Sequence, residues 1–528
     1  MRSAHMLTSS RDEAHPSHLG GTSGDLPRAP LAALWALMLG TLCWGAWTGF
    51  PVFDDAYLVQ FLRELGPKAI IPDHPDRPLY GWLMQSLATA FGLARAPYIA
   101  VGVAVWALLA WQATRLWARV FPEEASLRFV AALLVLSPTL VETQFTTLTT
   151  TIPVNLPVCI TLGGLLLCLR PEPIRLGASL LAALLFLLAG ALSEYGTATA
   201  AASVALLLIL GRRRPVPLLL GGAGIGYVIL WLTSRGGAVE KTPSLPLLQH
   251  LRAVPRHGVM WLTAIADSLV GDWLAVVSSM REAAESRSIW LAAPIAIVSA
   301  VLVARLLRSL PRQDGAREDS AAWRRLAALA GAVAAGLLPV MLARRSPLRS
   351  AYESRFRTPI LPFASVALVA LATRLIAPRY RRPVLVLLGS LAAFRAADVA
   401  YHTREYQNFL EGVGARLLPM VRGSAGITVA VLPEQGAGIA SDLTPKATYR
   451  WNEQDAERAW VLAPDEASDL FGPRLSCHGT ARIDTPPQFH CTGRKGAVSY
   501  LLWIPVRDGS VGDPEPYCIE PPRQQGPP

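Results

Sequence analysis

The sequence predicts a mainly α-helical, polytopic membrane protein of about eleven spans, and three observations carry that reading. Of 528 residues, 52% are hydrophobic and only 16% charged. The mean hydropathy is +0.35. Apolar runs long enough to cross hydrocarbon recur from about residue 30 to residue 401. A soluble domain carries roughly a quarter charged residues, so a cytosolic globule, a disordered chain and a disulfide-dense secreted module are excluded. The formal net charge of +11 comes from 49 Lys plus Arg against 38 Asp plus Glu. No basic cluster is interleaved with aromatics in a soluble domain, so positive membrane loops account for the excess and no nucleic-acid partner is expected. Only Lys68, Lys241, Lys446 and Lys495 are lysines, a bias that fits a GC-rich bacterial genome.

The first run, from Leu31 to Phe50, follows a polar segment without a small-residue cleavage pattern. It reads as a retained anchor, with residues 1–29 a disordered cytoplasmic N-terminus. Further spans are expected near 97–115, 127–143, 153–169, 176–192, 197–211, 216–233, 289–305, 326–343, 359–377 and 384–401. The stretch 257–279 is interrupted by Asp267 and Asp272, which suits a helix lying in the interface better than a crossing. With the N-terminus inside, arginines fill the short cytoplasmic loops: Arg115, Arg119 and Arg128; Arg170 and Arg175; Arg212, Arg213 and Arg214; Arg305 to Arg325; and Arg379, Arg381 and Arg382. That is the positive-inside pattern. The outer loop 344–358 also carries five arginines, which this pattern does not explain.

Residues 30–401 thus form a transmembrane domain, and the composition changes at 402. Strand-like runs at Ile427–Leu432 and Val498–Ile504, separated by Pro and Gly, predict a small extracytoplasmic α/β domain over 402–515, followed by a disordered tail, 516–528. Cys477 and Cys491 are its closest cysteine pair, and an oxidising compartment would allow a bridge. His478 and His490 flank them at a spacing that matches no usual structural zinc site.

The candidate chemistry lies in the outer loop 51–96. Leu58, Phe61, Leu62 and Leu65 fall at i, i+3, i+4 and i+7, the pattern of a helix on the membrane surface, and Asp54 and Asp55 stand at its start. There they serve either as cap and dipole partner or as reacting carboxylates. Asp73, His74, Asp76 and Arg77 then precede a second apolar helix, of about 13 residues, too short to span. Glu194 sits between two apolar runs, where an acid must be paired or wet; a bond to Tyr195 or a backbone amide competes with a substrate role. Gly221 to Gly226 looks like a nucleotide loop but lies within a span, where close helix packing is the better account.

These residues resemble the C-type fold of membrane glycosyltransferases, the group that includes protein mannosyltransferases and the aminoarabinose transferase of lipid A. In that group an acidic pair after the first span precedes a stretch like Lys-Pro-Pro-Leu-Tyr-Tyr-Trp-Leu. Here Asp54-Asp55 precedes Arg77-Pro78-Leu79-Tyr80-Gly81-Trp82-Leu83. Arg355-Phe356-Arg357-Thr358-Pro359-Ile360-Leu361-Pro362 is similar to the group's Arg-Tyr-x-x-Pro-x-x-Pro. The second outer loop has Ser137-Pro138 but no acid at the corresponding place, Glu142 being nearest, and the Trp-Trp-Asp signature of oligosaccharyltransferases is absent.

The resemblance implies an inverting hexosyl- or pentosyltransferase of the bacterial inner membrane. Its donor would be a polyprenyl-phosphate sugar and its acceptor a glycan, lipid or protein at the outer face. Asp54 would take the acceptor proton, and Asp55 would orient it or help hold a divalent cation, the one candidate cofactor. Arg355 and Arg357, with Arg77 behind them, would bind the donor phosphate, since a guanidinium makes paired bonds to phosphate oxygens; solvated loop charges or lipid-headgroup contacts are the alternative. Tyr80, Glu142 and Glu194 are further candidates for substrate contact. A polysaccharide ligase and a flippase of lipid-linked sugars are the competing readings; the gathering of these residues at one membrane face, with no internal repeat, favours the enzyme. The topology predicts that a cysteine introduced at Ser346 is labelled from the outer side of intact cells; labelling only after cytoplasmic access overturns the arrangement.

Overall fold

The computed structural model describes residues 27–47, 66–70, 77–92, 94–141, 148–170, 176–233, 258–285, 287–310, 320–342 and 353–421, together with short strands between 427 and 517. The protein is mainly helical. Helix α1 spans Arg28–Trp47, α2 Pro78–Phe91, α3 Arg95–Val120, α4 Arg128–Leu136, α5 Leu148–Cys168, α6 Leu176–Leu192, α7 Glu194–Ile209 and α8 Val216–Thr233. Helix α9 covers 258–285, followed by α10 Ile289–Arg308, α11 Ser320–Leu342, α12 Leu361–Leu375 and α13 Pro378–Val421. Among the described residues, six helices are long and apolar enough to cross a membrane, and four shorter apolar helices accompany them.

Some expected elements differ, and α13 runs unbroken to Val421, past the expected end of the last span and of the transmembrane domain at 401. The run 127–143 yields only the nine-residue α4, which ends at Leu136. Pro138 is the reason: it has no N–H for a helical bond and drives the residue before it out of the α region, and Ser137 is extended, with φ −80° and ψ 136°. Every α4 residue from Phe129 to Leu136 is buried. The stretch expected to lie in the interface is helical and belongs to α9, whose segment Gly258–Arg281 is by length and composition also a candidate span.

The helices pack through small residues and satisfied polar groups. Helices α6 and α8 run parallel and nearly touch: a methyl group at Gly222 would lie 2.3 Å from the Ala183 carbonyl oxygen, and one at Gly226 2.3 Å from that of Leu187. The glycine run is thus a packing surface, as its position in a span implied. In the core, the indoles of Trp106 and Trp117 donate to the carbonyls of Val135 and Glu124, and Gln112 donates to that of Cys159. Buried polar groups require such partners. Helix α12 is buried from Leu361 to Ala370 and forms the centre of the bundle.

One end of the bundle is held by arginines. Arg325 pairs with Glu123, and Arg374 with Glu124. Arg324 donates to the Ile209 carbonyl at the end of α7, and Arg382 to that of Leu310 just beyond α10, where helix carbonyls lack partners and attract cations.

In the C-terminal region, strands β1 (Ile427–Pro433), β4 (Val498–Ile504) and β5 (Glu515–Tyr517) form a mixed sheet in the order β1-β4-β5. Strands β2 (Ser476–Arg482) and β3 (Thr485–Thr492) pair antiparallel, with Cys477 opposite Cys491 and His478 opposite His490 in the backbone register. Replacing Gly226 by Val should force α6 and α8 apart and destabilise the protein by about 1–3 kcal/mol, read as a lower thermal midpoint in detergent than that of Gly224→Val, whose Cβ meets open space.

Candidate functional site

At the end of the bundle opposite the arginine-held one, side chains from α2, α7, α9 and the segment before α12 come together. Helix α2 begins at Arg77, with Pro78 in its first turn, the position where a missing N–H costs nothing. The Arg77 guanidinium lies 2.5 Å from the Glu194 carboxylate in the first turn of α7, and the two side chains are 34% and 40% exposed. The next residue, Tyr195, is buried and stacks on Phe356, with ring centroids 6.2 Å apart and planes inclined by 13°. Phe356 belongs to a 3-10 segment, Glu353–Ile360, that leads into α12.

Arg357 follows Phe356 and is 2% exposed. Its guanidinium forms a buried ion pair with Asp272 and lies 3.9 Å from Asp267. A π-turn over Asp267–Gly271 makes this possible: the Asp272 N–H donates to the Asp267 carbonyl, five residues back. In an unbroken α-helix, residues five apart lie roughly 140° apart around the axis; the wider turn brings them onto one side. A Cβ at Gly271 would lie 2.5 Å from the Asp267 carboxylate oxygen, so the glycine leaves room for that carboxylate where it stands.

A second buried polar group joins α10 to α13. The Asp398 carboxylate accepts hydrogen bonds from Ser288 at 2.6 Å and Arg395 at 2.9 Å, and His402 Nε2 lies 3.4 Å away.

The arrangement reorders the residues singled out in the sequence. Arg77, Glu194 and Arg357 are brought into one neighbourhood through the Tyr195–Phe356 stack. Arg357, expected with Arg355 to lead the phosphate ligands, is buried against two carboxylates, and a cation already neutralised and desolvated has little left to offer an incoming anion. Among the described residues Glu194 pairs with Arg77. Tyr80 is half-buried and packs with Leu87 against Ile70, Met84 and Ala88, so its ring supports α2. Asp54, Asp55 and Glu142 lie outside the described residues, as does the side chain of Arg355. Among the described residues no group of three His, Cys, Asp or Glu side chains is gathered to hold a metal ion.

Asp267 and Asp272 are the site residues that sequence reasoning missed. Two acids in an apolar run were the signal, since such acids require a partner, but a spacing of five matches no α-helical face and pointed away from a shared one. No family model matches the chain, and no curated protein or solved structure is significantly similar to it.

Removing one partner of the buried pair strands a charge and should cost about 3–5 kcal/mol. Asp272→Ala and Arg357→Ala should therefore each lower the thermal midpoint sharply. The double variant Asp272→Leu with Arg357→Met should recover much of the loss; a double variant no better than either single one refutes the pairing.

Proposed function

We propose that the protein is an inverting membrane glycosyltransferase that moves a sugar from a polyprenyl-phosphate donor to a glycan, lipid or protein acceptor at the outer face of a bacterial inner membrane. The observation that carries this reading is the meeting of two distant motif segments. Arg77-Pro78 begins α2, Phe356-Arg357 precedes α12, and Glu194 with Tyr195 joins them at the bundle end opposite Arg325 and Arg374. Acceptor, donor phosphate and catalytic carboxylate need such a common place, at the level of the lipid headgroups.

The chemistry follows from the charges. As the acceptor hydroxyl attacks the anomeric carbon, its proton passes to Asp54, the C–O bond to the phosphate breaks, and the electron pair leaves with polyprenyl phosphate. Asp55 orients the acceptor or helps hold a divalent cation. Arg77, half-exposed beside α2, meets the charge that develops on the leaving phosphate, with Arg355 as its companion. Arg357 acts one step behind, holding the 353–360 segment against α9. The apolar helices around this end admit the polyprenyl chain, and the strand-bearing region beyond 421 is an extracytoplasmic domain.

The reading is tested by following transfer of radiolabel from polyprenyl-phosphate sugars in purified protein. Asp54→Asn should lower the rate by about 10²-fold or more with an unchanged thermal midpoint. A folded Asp54→Asn protein that transfers at the wild-type rate refutes the assignment of the base.

A further inference from the structure

We propose that the corner where the ends of α5 and α7 meet the start of α11 is a binding site for an acidic phospholipid. This corner belongs to the arginine-held end of the bundle, and its ligand is the same whatever the opposite end transfers.

Helix α7 completes its own C-terminus. Gly211, at φ 78°, takes the left-handed conformation that ends many helices. The N–H groups of Leu210, Gly211 and Arg212 then close back onto the carbonyls of Leu206, Leu208 and Leu207, at 3.0, 3.0 and 2.8 Å. The next carbonyl, that of Ile209, accepts from Arg324 Nε at 3.0 Å. Every carbonyl from Leu206 to Ile209 is therefore satisfied, and the side chains of Arg213 and Arg214 are not needed to cap α7.

Two guanidinium groups are held in place at this corner. Arg212 reaches the Arg170 carbonyl, just beyond α5, at 3.5 Å. Arg324 lies against Gly211, where an added Cβ would stand 3.2 Å from its Nη2. A guanidinium has five N–H donors, and among the described residues each of these two spends one on a carbonyl. The rest of each fork is open to phosphate oxygens.

The charge here is unbalanced. Arg170, Arg212, Arg213, Arg214 and Arg324 are exposed. Among the described residues no carboxylate pairs with any of them, whereas Arg325 and Arg374 have Glu123 and Glu124. The two segments that border the corner in sequence, 171–175 and 311–319, carry four acids against three arginines. That small acidic excess leaves most of the five positive charges to be met by another anion, and gathered like charges repel until one arrives.

Apolar surface beside the charge makes that anion a lipid. Leu208 and Ile209, in the last turn of α7, and Trp323, next to Arg324, are exposed. A soluble anion gains nothing from them. An acyl chain covers them while its headgroup phosphate meets the arginines, and tryptophan is a residue of the boundary between membrane and water. Basic pockets between membrane helices bind acidic headgroups on these terms.

Native mass spectrometry of the full-length protein in nonionic detergent tests the site. The probe is dioleoyl phosphatidylglycerol; dioleoyl phosphatidylcholine has the same chains without net charge, and glycerol phosphate has the anion without the chains. Phosphatidylglycerol should bind about tenfold more tightly than phosphatidylcholine. Replacing Arg213 and Arg214 together by Gln should weaken phosphatidylglycerol binding about thirtyfold, roughly fivefold for each arginine. The thermal midpoint should hold, because neither side chain caps α7. Arg305→Gln with Arg308→Gln removes the same charge from the end of α10 and should cost about twofold or less. Equal losses from the two pairs assign binding to the general charge of this end and overturn the site, as does phosphatidylglycerol that binds no better than phosphatidylcholine. Should the first double variant fail to fold, Arg170→Gln should weaken phosphatidylglycerol about fivefold, and a folded Arg170→Gln protein of unchanged affinity overturns the site. Glycerol phosphate in about hundredfold excess should displace little of the bound lipid; complete displacement gives the corner to a soluble anion and overturns the lipid as its occupant.

Discussion

The buried guanidinium of Arg357 is the constraint around which this end of the bundle is arranged. A charged group in an apolar interior costs several kcal/mol unless a counter-charge meets it in good geometry. Asp272 meets it from α9, and the pair ties that helix to the segment entering α12, the helix at the centre of the bundle. The π-turn over Asp267–Gly271 sets Asp272 against that guanidinium and leaves Asp267 3.9 Å from it. With the 353–360 segment held, Phe356 is fixed under Tyr195, and the start of α7 presents Glu194 to Arg77.

Arginine does different work at the two ends. At one end Arg324 and Arg382 bind helix carbonyls while Arg325 and Arg374 collect Glu123 and Glu124. These contacts close turns and complement helix dipoles. At the other end Arg357 is buried within the bundle and Arg77 stands half-exposed at the start of a short helix. The structural cation and the accessible one lie near each other, and exposure separates their roles.

Much of the helical pattern was legible in the sequence, because lipid crossing demands continuous apolar length and leaves a long signal. Helices α6 and α8 begin and end where their apolar runs do, at 176–192 and 216–233. The glycines of α8 were readable as a packing surface because a span has no place for a nucleotide loop. The nine-residue α4 was not readable from hydropathy, since its apolar run continues past Pro138 and only local backbone geometry ends the helix. Nor was the partner of the two aspartates of α9, which stands far along the chain in a segment that composition marks as a charged loop.

What the sequence by itself determined is the class of the protein and its orientation signal. Apolar length, arginine-dense loops and the residues around Asp54 and Arg77 are local properties, and solvent and charge act on them locally. Only the tertiary structure decided which arginine is spent on a buried pair, which carboxylate faces Arg77, and which aspartates share a side of their helix. Those outcomes depend on which helix ends meet and on a backbone turn of altered pitch, and neither is written in the spacing of any one segment.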